Sequence, residues 1–296
     1  MEGYRKACQS MKEIVVLSGK GGTGKTTVTA SLAVLAKKAV LADCDVDAAN
    51  LHILLKPEIK ETFEFWGSQK AKINGYKCRR CGQCEKVCRF NAIKDFKVNS
   101  IFCEGCRVCY NICPEKAIEM IDTLAGHWYI SDTKYGPMVH AKLGAAEENS
   151  GKLVSLVKKT AREIAEKEGY KCIITDGPPG IGCPVISSLS GADSVLIVTE
   201  PTASGFHDFE RLLNLANNFN VTIKVVINKF DIAEKKAREI EKYCINKGIE
   251  VIGKIPFDEE IIKSISEGIP PVLYSSGPAV QALKNIALSL FNDFEK

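Results

Sequence analysis

The chain has 296 residues, of which 45% are hydrophobic and 26% are charged, and its net charge is +4. This length suits one large α/β domain or one domain with a small second unit, and the charge is too small to indicate nucleic-acid binding by itself. No run approaches the roughly 18 apolar residues of a membrane-spanning helix, and the N-terminus lacks a signal-peptide core, so we expect no membrane association. Residues 1–10 fit no regular element, which either a loose tail or an upstream start would explain.

Short apolar runs alternate with amphipathic stretches along most of the chain. Runs rich in Val, Ile and Leu, typical of strands buried on both faces, occupy 13–19, 39–45, 171–177, 194–200, 224–229 and 251–256. Apolar residues at helical spacing occupy 153–169, 209–219, 231–248 and 278–291. This alternation predicts an α/β fold with a mostly parallel sheet flanked by helices.

The alternation breaks between residues 57 and 125, where the chain is rich in Cys and Lys. After the break, 126–143 alternates around a polar turn and is typical of a hairpin. The pattern therefore predicts a discontinuous domain, 11–60 with 122–296, that holds an inserted domain at 61–121.

A phosphate-binding loop follows the first predicted strand. Gly19, Gly24, Lys25 and Thr26 fill the pattern G-x-x-x-x-G-K-[ST] at the start of a helix. The glycines let backbone N–H groups converge on phosphate oxygens, Lys25 neutralises the β- and γ-phosphates, and the Thr26 hydroxyl suits Mg²⁺. The residues predicted to bind nucleotide here are Gly19, Lys20, Gly21, Gly22, Thr23, Gly24, Lys25, Thr26 and Thr27.

The loop sequence GKGGTGKTT also resembles the deviant Walker A loop of the MinD/ParA family of P-loop ATPases. In that family the early lysine reaches across a dimer interface to the partner's nucleotide. The resemblance therefore implies a P-loop NTPase fold, ATP hydrolysis with Mg²⁺, and an ATP-sandwich homodimer. It also implies two catalytic lysines, Lys25 in the chain's own site and Lys20 acting in trans.

The segment LADCDVDAANL at 41–51 resembles the second acidic motif of the same family. The match implies that Asp45 positions the attacking water and that Asp43 lies near Mg²⁺. A water-positioning carboxylate is reasonable because phosphoryl transfer depends on orientation and charge more than on covalent help. Asp47 is an alternative for either role, because the three carboxylates stand at alternate positions.

Three later segments extend the resemblance. TDGPPGIG at 175–182 resembles the switch II segment, which implies that Asp176 orients Mg²⁺ or its waters. INKFD matches the position whose asparagine contacts adenine, here Asn228. IPFDEEI matches the loop that closes over the base, which places Pro256 at the nucleotide.

Two cysteine ladders, CRRCGQCEKVC and CEGCRVCYNIC, lie within the predicted insertion and belong to an internal repeat displaced by 25 residues. Each has the spacing C-x₂-C-x₂-C-x₃-C of bacterial ferredoxins, in which the fourth cysteine serves the other cluster. The pattern predicts two 4Fe–4S clusters, one held by Cys78, Cys81, Cys84 and Cys113 and the other by Cys88, Cys103, Cys106 and Cys109. Zinc is the alternative, although three cysteines at this spacing fit one tetrahedral ion poorly.

The surroundings of the cysteines carry further information. Ferredoxins have proline after the fourth cysteine, which Cys113 obeys, whereas Arg89 follows Cys88 and either favours a reduced cluster or is a solvated surface residue. The segment 66–116 has 11 lysines and arginines against 4 acidic residues, which offsets cluster charge and would steer an acidic redox partner.

Cys183 lies seven residues after Asp176, at the offset of an interface cluster ligand in the nitrogenase iron protein. No clear second cysteine accompanies it, so a reactive thiol is the alternative. A P-loop and an odd total of 13 cysteines indicate a reducing, cytoplasmic location.

The whole pattern resembles MinD-superfamily ATPases that contain an inserted ferredoxin domain. Our leading interpretation is an ATPase whose nucleotide state is coupled to electron transfer or to Fe–S or metallocofactor assembly, with a redox or assembly protein as partner. A positioning or scaffold ATPase with structural or sensing clusters is the second interpretation, and a carrier that transfers clusters is the third. We expect no nucleic-acid partner, because the insertion has few aromatic residues placed for stacking.

Overall fold

A computed structural model of the chain describes residues 11–144 and 150–292. The N-terminal segment 1–10, for which the sequence left two explanations, lies outside these residues. Among the described residues, no helix is both long enough and apolar enough to cross a membrane.

Strands and helices alternate as the sequence predicts. The strands are β1 Lys12–Ser18, β2 Val40–Asp43, β3 Glu58–Ile73, β4 Ile93–Lys94, β5 Lys97–Val98, β6 Ile118–Thr133, β7 Gly136–Leu143, β8 Cys172–Pro179, β9 Ser194–Thr199, β10 Thr222–Asn228 and β11 Glu250–Ile255. The helices are α1 Lys25–Ala36, α2 Leu51–Leu55, α3 Gln83–Val87, α4 Val108–Ile112, α5 Ser150–Glu168, α6 Cys183–Leu189, α7 Ala203–Ala216, α8 Glu234–Asn246, α9 Glu259–Ser266, α10 Pro271–Tyr274 and α11 Pro278–Asn292, with a 3₁₀ turn at Phe230–Ala233.

Within the described residues the main sheet has the strand order β11-β10-β9-β1-β8-β2-β7-β6-β3. The pairs from β11 to β7 are parallel, and the pairs β7–β6 and β6–β3 are antiparallel. Helices α1, α2 and α11 cover one face with apolar side chains, and α6, α7 and α8 cover the other. The predicted α/β fold with a mostly parallel sheet flanked by helices is therefore confirmed.

One predicted helix begins earlier than its apolar pattern. The pattern at 209–219 lies largely in α7, but the helix starts at Ala203, because the Thr202 hydroxyl accepts a hydrogen bond from the Gly205 N–H at 2.9 Å. Such a side-chain cap satisfies a free N–H at the helix start. This cap places the N-terminus of α7 next to the phosphate-binding loop.

A buried ion-pair network joins α5 to β1 and to the end of α6. Glu13 on β1 lies 3.0 Å from the Lys158 ammonium and 3.0 Å from Nε of Arg162. Lys158 also donates to the carbonyl oxygen of Ser190 at 3.0 Å. Burial lowers the pKa of Lys158, although Glu13 opposes this effect. Because a buried charge without its partner costs about 3–5 kcal/mol, this network holds the C-terminal end of α6 in place.

The cysteine-rich segment joins the main sheet through two long strands. β3 and β6 pair antiparallel from Glu58 with Asp132 to Ile73 with Ile118, so each of these 16-residue strands spans roughly 50 Å. We call this pair the ribbon. The proposed domain boundaries at 60/61 and 121/122 fall inside its two strands, and the hairpin expected at 126–143 is formed by β6 and β7.

The far end of the ribbon carries the two halves of the internal repeat. Helices α3 and α4 occupy equivalent positions in the repeat, and each is followed directly by the last cysteine of its ladder, Cys88 or Cys113. Left-handed backbone conformations recur 25 residues apart, at the pairs Arg80 and Gly105, Gly82 and Arg107, and Asn91 and Lys116. Alternation of left-handed residues with ordinary ones turns successive N–H groups inward, which suits a loop that wraps an anionic group. A small apolar core joins the halves, consisting of Ala71, Cys84, Ile93, Cys109 and Ile118.

Candidate functional site

A cavity of about 660 Å³ lies at the carboxyl ends of the parallel strands, between β1 and α1. Most of the predicted loop residues line it, together with Asp45, Asn228 and Pro256. Parallel α/β sheets bind ligands at this edge, because the loops after neighbouring strands converge there. The structure therefore brings the loop, the acidic segment and both adenine-side predictions to one cavity.

The loop has a backbone that requires glycine at Gly24, with φ of +91°. A Cβ atom there would lie 2.4 Å from Nδ2 of Asn228. That amide donates a 2.7 Å hydrogen bond to the carbonyl oxygen of Thr23. Asn228, which the sequence placed beside adenine, thus lines the cavity and also holds the loop in shape.

Lys25 lies between two carboxylates at the base of the cavity. Its ammonium is 2.9 Å from Asp176 and 3.6 Å from Asp45. Burial lowers the pKa of Lys25, but the charges of Asp176 and Asp45 outweigh burial, and the net shift is upward. Lys25 therefore stays charged and is available to β- and γ-phosphate oxygens.

Asp176 is completely buried and accepts hydrogen bonds from two hydroxyls on α1. Thr26 donates to one oxygen at 2.7 Å and Thr29 donates to the other at 2.8 Å. Thr26 and Asp176, which the sequence assigned to Mg²⁺, are thus in direct contact. Sequence reasoning missed Thr29, although its position three residues after Thr26 puts both hydroxyls on one helix face.

Asp43 lies beside Asp176 on the neighbouring strand and is also completely buried. Its carboxylate accepts backbone N–H bonds from Asp45 and Leu51, both at 3.2 Å. Burial, followed by the charge of Asp176, raises the pKa of Asp43 well above its ordinary value. Burial likewise raises the pKa of Asp45, which Lys25 partly offsets. This edge of the sheet holds more negative charge than Lys25 neutralises, which favours a bound cation.

The alternative residue for these roles has a different environment. Asp47 is exposed and does not line the cavity, whereas Asp45 lines it and contacts Lys25. Among the described residues, no group of three or more His, Cys, Asp or Glu side chains is arranged to hold a metal ion. Mg²⁺ does not require such a group, because it usually binds one or two carboxylates, phosphate oxygens and waters.

Lys20 points away from the cavity that its own loop surrounds. Its ammonium lies 2.7 Å from Glu200, 3.1 Å from the Ser204 hydroxyl and 3.3 Å from the Thr202 hydroxyl. Sequence reasoning missed Glu200, and its position directly after β9 was the available signal. The outward direction of Lys20 is compatible with the trans role that the resemblance implies.

The eight ladder cysteines line two small cavities at the end of the ribbon, four in each. We call these site A, lined by Cys78, Cys81, Cys84 and Cys113, and site B, lined by Cys88, Cys103, Cys106 and Cys109. The pairs Cys88 and Ala92, and Cys113 and Ala117, each show an N–H to Sγ hydrogen bond of 3.3 Å. Burial raises the pKa of the Cys84 and Cys109 thiols, so a cationic ligand is needed to hold them as thiolates at neutral pH.

The two other sequence features near cysteines lie on the surface. The guanidinium of Arg89 lies 4.7 Å from the centre of the Phe90 ring, and Arg89 is exposed. Cys183 is exposed at the first turn of α6, directly after the switch II segment. The structure shows no partner for Cys183 among the described residues.

A sequence profile of the family described as CobQ/CobB/MinD/ParA nucleotide binding domain matches residues 14–272. The chain belongs to this family. It is 38% identical over 260 residues to an uncharacterized protein of Methanocaldococcus jannaschii, which covers 87% of this chain and 88% of that protein. It is 26% identical over 300 residues to the septum site-determining protein MinD of Thermotoga maritima, which covers 95% and 91% respectively.

A solved structure of MinD from Pyrococcus horikoshii OT3 complexed with Mg-ADP has the same fold. Its TM-score is 0.58 at 20% identity, with 94% of this chain and 95% of that chain covered. With the family match, these likenesses identify the chain as an ATP-binding ATPase of the MinD/ParA type. The family prediction made from the GKGGTGKTT loop is confirmed.

Proposed function

We propose that the chain is an Mg²⁺-dependent ATPase that works as a homodimer and carries two 4Fe–4S clusters whose electron transfer or assembly role depends on nucleotide state. The observation that carries the cluster part is the sorting of eight cysteines into two cavities. Each cavity has three cysteines of one ladder and the last cysteine of the other. This sorting supports the proposal because it matches the exchange of fourth ligands in two-cluster ferredoxins.

The donor set of each site suits a cluster better than a single ion. Zinc in a structural site needs four ligands at about 2.0–2.3 Å from one point. Within residues 11–144 the cysteines instead line two cavities, four to each. A bound cluster would accept or release one electron. Site A and site B would supply the thiolates, and the neighbouring N–H groups would stabilise negative charge on them.

The ATPase steps follow from the contacts in the nucleotide cavity. On ATP binding, the Lys25 ammonium would leave Asp45 and Asp176 for the β- and γ-phosphates. Asp45 would then be free to orient the attacking water, and Thr26 and Asp176 would position Mg²⁺. The proposal also places Asp43 near Mg²⁺ and Asn228 and Pro256 at the adenine base. Lys20 would act in trans, at the nucleotide of the partner subunit.

A physical connection between the nucleotide and cysteine ends supports coupling. The Leu143 N–H on β7 donates to the carbonyl oxygen of Val46, one residue after Asp45, at 3.1 Å. Leu143 also pairs with Gly126 on β6, which is one strand of the ribbon. A movement of the Asp45 segment would therefore act directly on the ribbon.

Anaerobic purification with iron, sulfide and zinc counting tests the cluster proposal. We expect about eight iron and eight sulfide ions per chain, because each cluster has four of each. Zinc without iron would overturn it. A redox titration followed by EPR, with and without Mg-ATP, then tests coupling. Identical potentials and identical electron-transfer rates to an acceptor in both nucleotide states would remove that part of the proposal.

The second candidate is a positioning or scaffold ATPase, which the likeness to a septum site-determining protein favours for the nucleotide-binding body. It predicts ATP-dependent co-sedimentation with liposomes or DNA, at the same level whether the cysteine sites are oxidised or reduced. The coupled ATPase predicts no such sedimentation and an acidic protein partner instead, because the cysteine-rich segment is basic.

A further inference from the structure

The two cysteine sites are related by the internal repeat but differ in their relation to the ribbon. β3 is the outer strand of the sheet, so one of its edges has no neighbouring strand among the described residues. The loop of the second ladder lies on that edge. The Ala71 N–H donates a 3.4 Å hydrogen bond to Sγ of Cys103 in site B.

The direction of this N–H group follows from the strand register. Ala71 on β3 pairs with Met120 on β6. Three residues further on, the Asn74 N–H donates a hydrogen bond to the carbonyl oxygen of Ala117, the residue directly before β6. Antiparallel strands alternate between residues that bond their partner and residues that face outward. Asn74 faces β6, so Ala71 faces outward and its N–H is available to the thiol.

A second contact ties the same loop to the ribbon. The Arg107 guanidinium donates to the side-chain oxygen of Gln69, and the Gln69 amide donates to Asp122 on β6 at 2.9 Å. Site B is thus joined to both strands of the ribbon. The equivalent position to Cys103 in site A is Cys78, and within 11–144 the structure shows no strand N–H that donates to its Sγ.

The sequence of the repeat carries the same asymmetry. Arg80 and Gly105 are equivalent and both have left-handed backbones, with φ of 56° and 62°. The backbone conformation alone therefore does not demand glycine. Glycine is required at position 105 because of limited space: a Cβ atom there would lie 2.2 Å from the carbonyl oxygen of Gln69. The second ladder has glycine where β3 presses against it.

We infer that the Ala71 N–H makes the two clusters unequal, so that site B has the less negative reduction potential and receives the electron first. This inference rests on the proposed cluster function. An N–H donor to a ligand sulfur stabilises the additional negative charge of the reduced cluster and raises its potential. The electron would then settle at the site that contacts β3 through Ala71 and Gln69.

The test is a redox titration of the full chain by EPR with dithionite as reductant. Ala71→Pro removes the N–H that faces Cys103 but keeps the hydrogen bonds between β3 and β6, because proline is tolerated where a strand's N–H faces outward. Ala71→Val is the control, since it adds similar volume but keeps the N–H. A Cys81→Ala chain, which lacks a site A ligand, assigns the EPR components to the two sites.

We expect Ala71→Pro to shift only the site B component to a more negative potential, and Ala71→Val to match the wild type. A second pair of variants provides the test if substitution at position 71 prevents folding. Gly105→Ala pushes the loop from the strand and should shift the same component, whereas Gly82→Ala, with φ of 76° and open space, should not.

Unchanged components in Ala71→Pro, a shift of the site A component, or an equal shift in Ala71→Val would overturn the inference. If Ala71→Pro fails to bind iron, Gly105→Ala against Gly82→Ala decides by the same criteria. Absence of iron from the wild-type chain would overturn the cluster proposal itself, which distinguishes that failure from a wild type with two clusters of equal potential.

Discussion

The nucleotide cavity and the two cysteine sites differ in how far the chain itself satisfies their polar groups. Lys25, Thr26 and Thr29 converge on Asp176 at 2.7–2.9 Å, so the nucleotide site is organised by its own side chains. The cysteine sites have thiols, a few backbone donors and a small apolar core. Such a small unit needs a metal or other crosslink for stability, so its order should depend on what the thiols bind.

The largest expected effect is the loss of ATP hydrolysis without loss of iron. Replacing Lys25 by Ala removes the cation between Asp45 and Asp176, and we expect ATPase activity to fall on the order of 10²–10³-fold. Phosphate release and iron counting measure the two regions separately. Lys38→Ala, at an exposed position just beyond α1, is the control. Iron loss in Lys25→Ala would show that the regions do not fold independently.

The second-largest expected effect is on the protease sensitivity of the cysteine-rich segment. Removing iron with a chelator under reducing conditions should expose the Lys- and Arg-rich segment 77–116 to trypsin and raise its cleavage rate by roughly tenfold or more. The residues around α1 should stay protected, because their order depends on side-chain contacts. Intact-mass analysis of the fragments locates the cuts. Unchanged protection of 77–116 would mean that this segment folds without metal.

A smaller effect concerns Asp43 in the nucleotide site and the pH dependence of the free energy of unfolding. Asp43 has a pKa raised by burial and by Asp176, so the folded state binds its proton more tightly than the unfolded state does. Its ionisation therefore lowers the free energy of unfolding as the pH rises above the ordinary range of an aspartate. Asp43→Asn removes this ionisation, so the free energy of unfolding of the variant relative to the wild type should be more favourable at pH 8 than at pH 5.

The stability of Asp43→Asn relative to the wild type should decrease as the pH falls, because Asp43 in the wild type then binds its own proton. Urea unfolding at pH 8 and pH 5 measures the difference. Asp47→Asn, at an exposed position, should change neither value. A relative stability that grows at low pH would contradict the upward direction of the Asp43 pKa shift.

The smallest expected effect concerns Arg89, the residue that breaks the sequence symmetry of the ladders. Its guanidinium lies over Phe90 at the surface, where water and salt screen its charge. Arg89→Leu should therefore shift the EPR-monitored potentials less than Ala71→Pro does. An equal or larger shift would show that the departure in sequence matters more than the contact with the ribbon.

Local patterns were sufficient for the parts of the fold that depend on periodicity. The apolar runs located the parallel strands, and the glycines and Lys25 located the phosphate loop, because phosphate binding requires a strand, a turn and a helix in direct succession. The start of α7 was not predictable from its apolar pattern, since Thr202 begins the helix through a hydrogen bond.

The sequence by itself determined the P-loop ATPase fold and the nucleotide-binding segment, and the ladder spacing predicted which four cysteines line each small cavity. Only the tertiary structure showed that Glu200 contacts Lys20, and that Thr29 shares Asp176 with Thr26. Only it showed that β3 reaches Cys103 through the Ala71 N–H. Spacing reports contacts between near neighbours in the chain, whereas these contacts depend on strand order and register, which bring distant segments together.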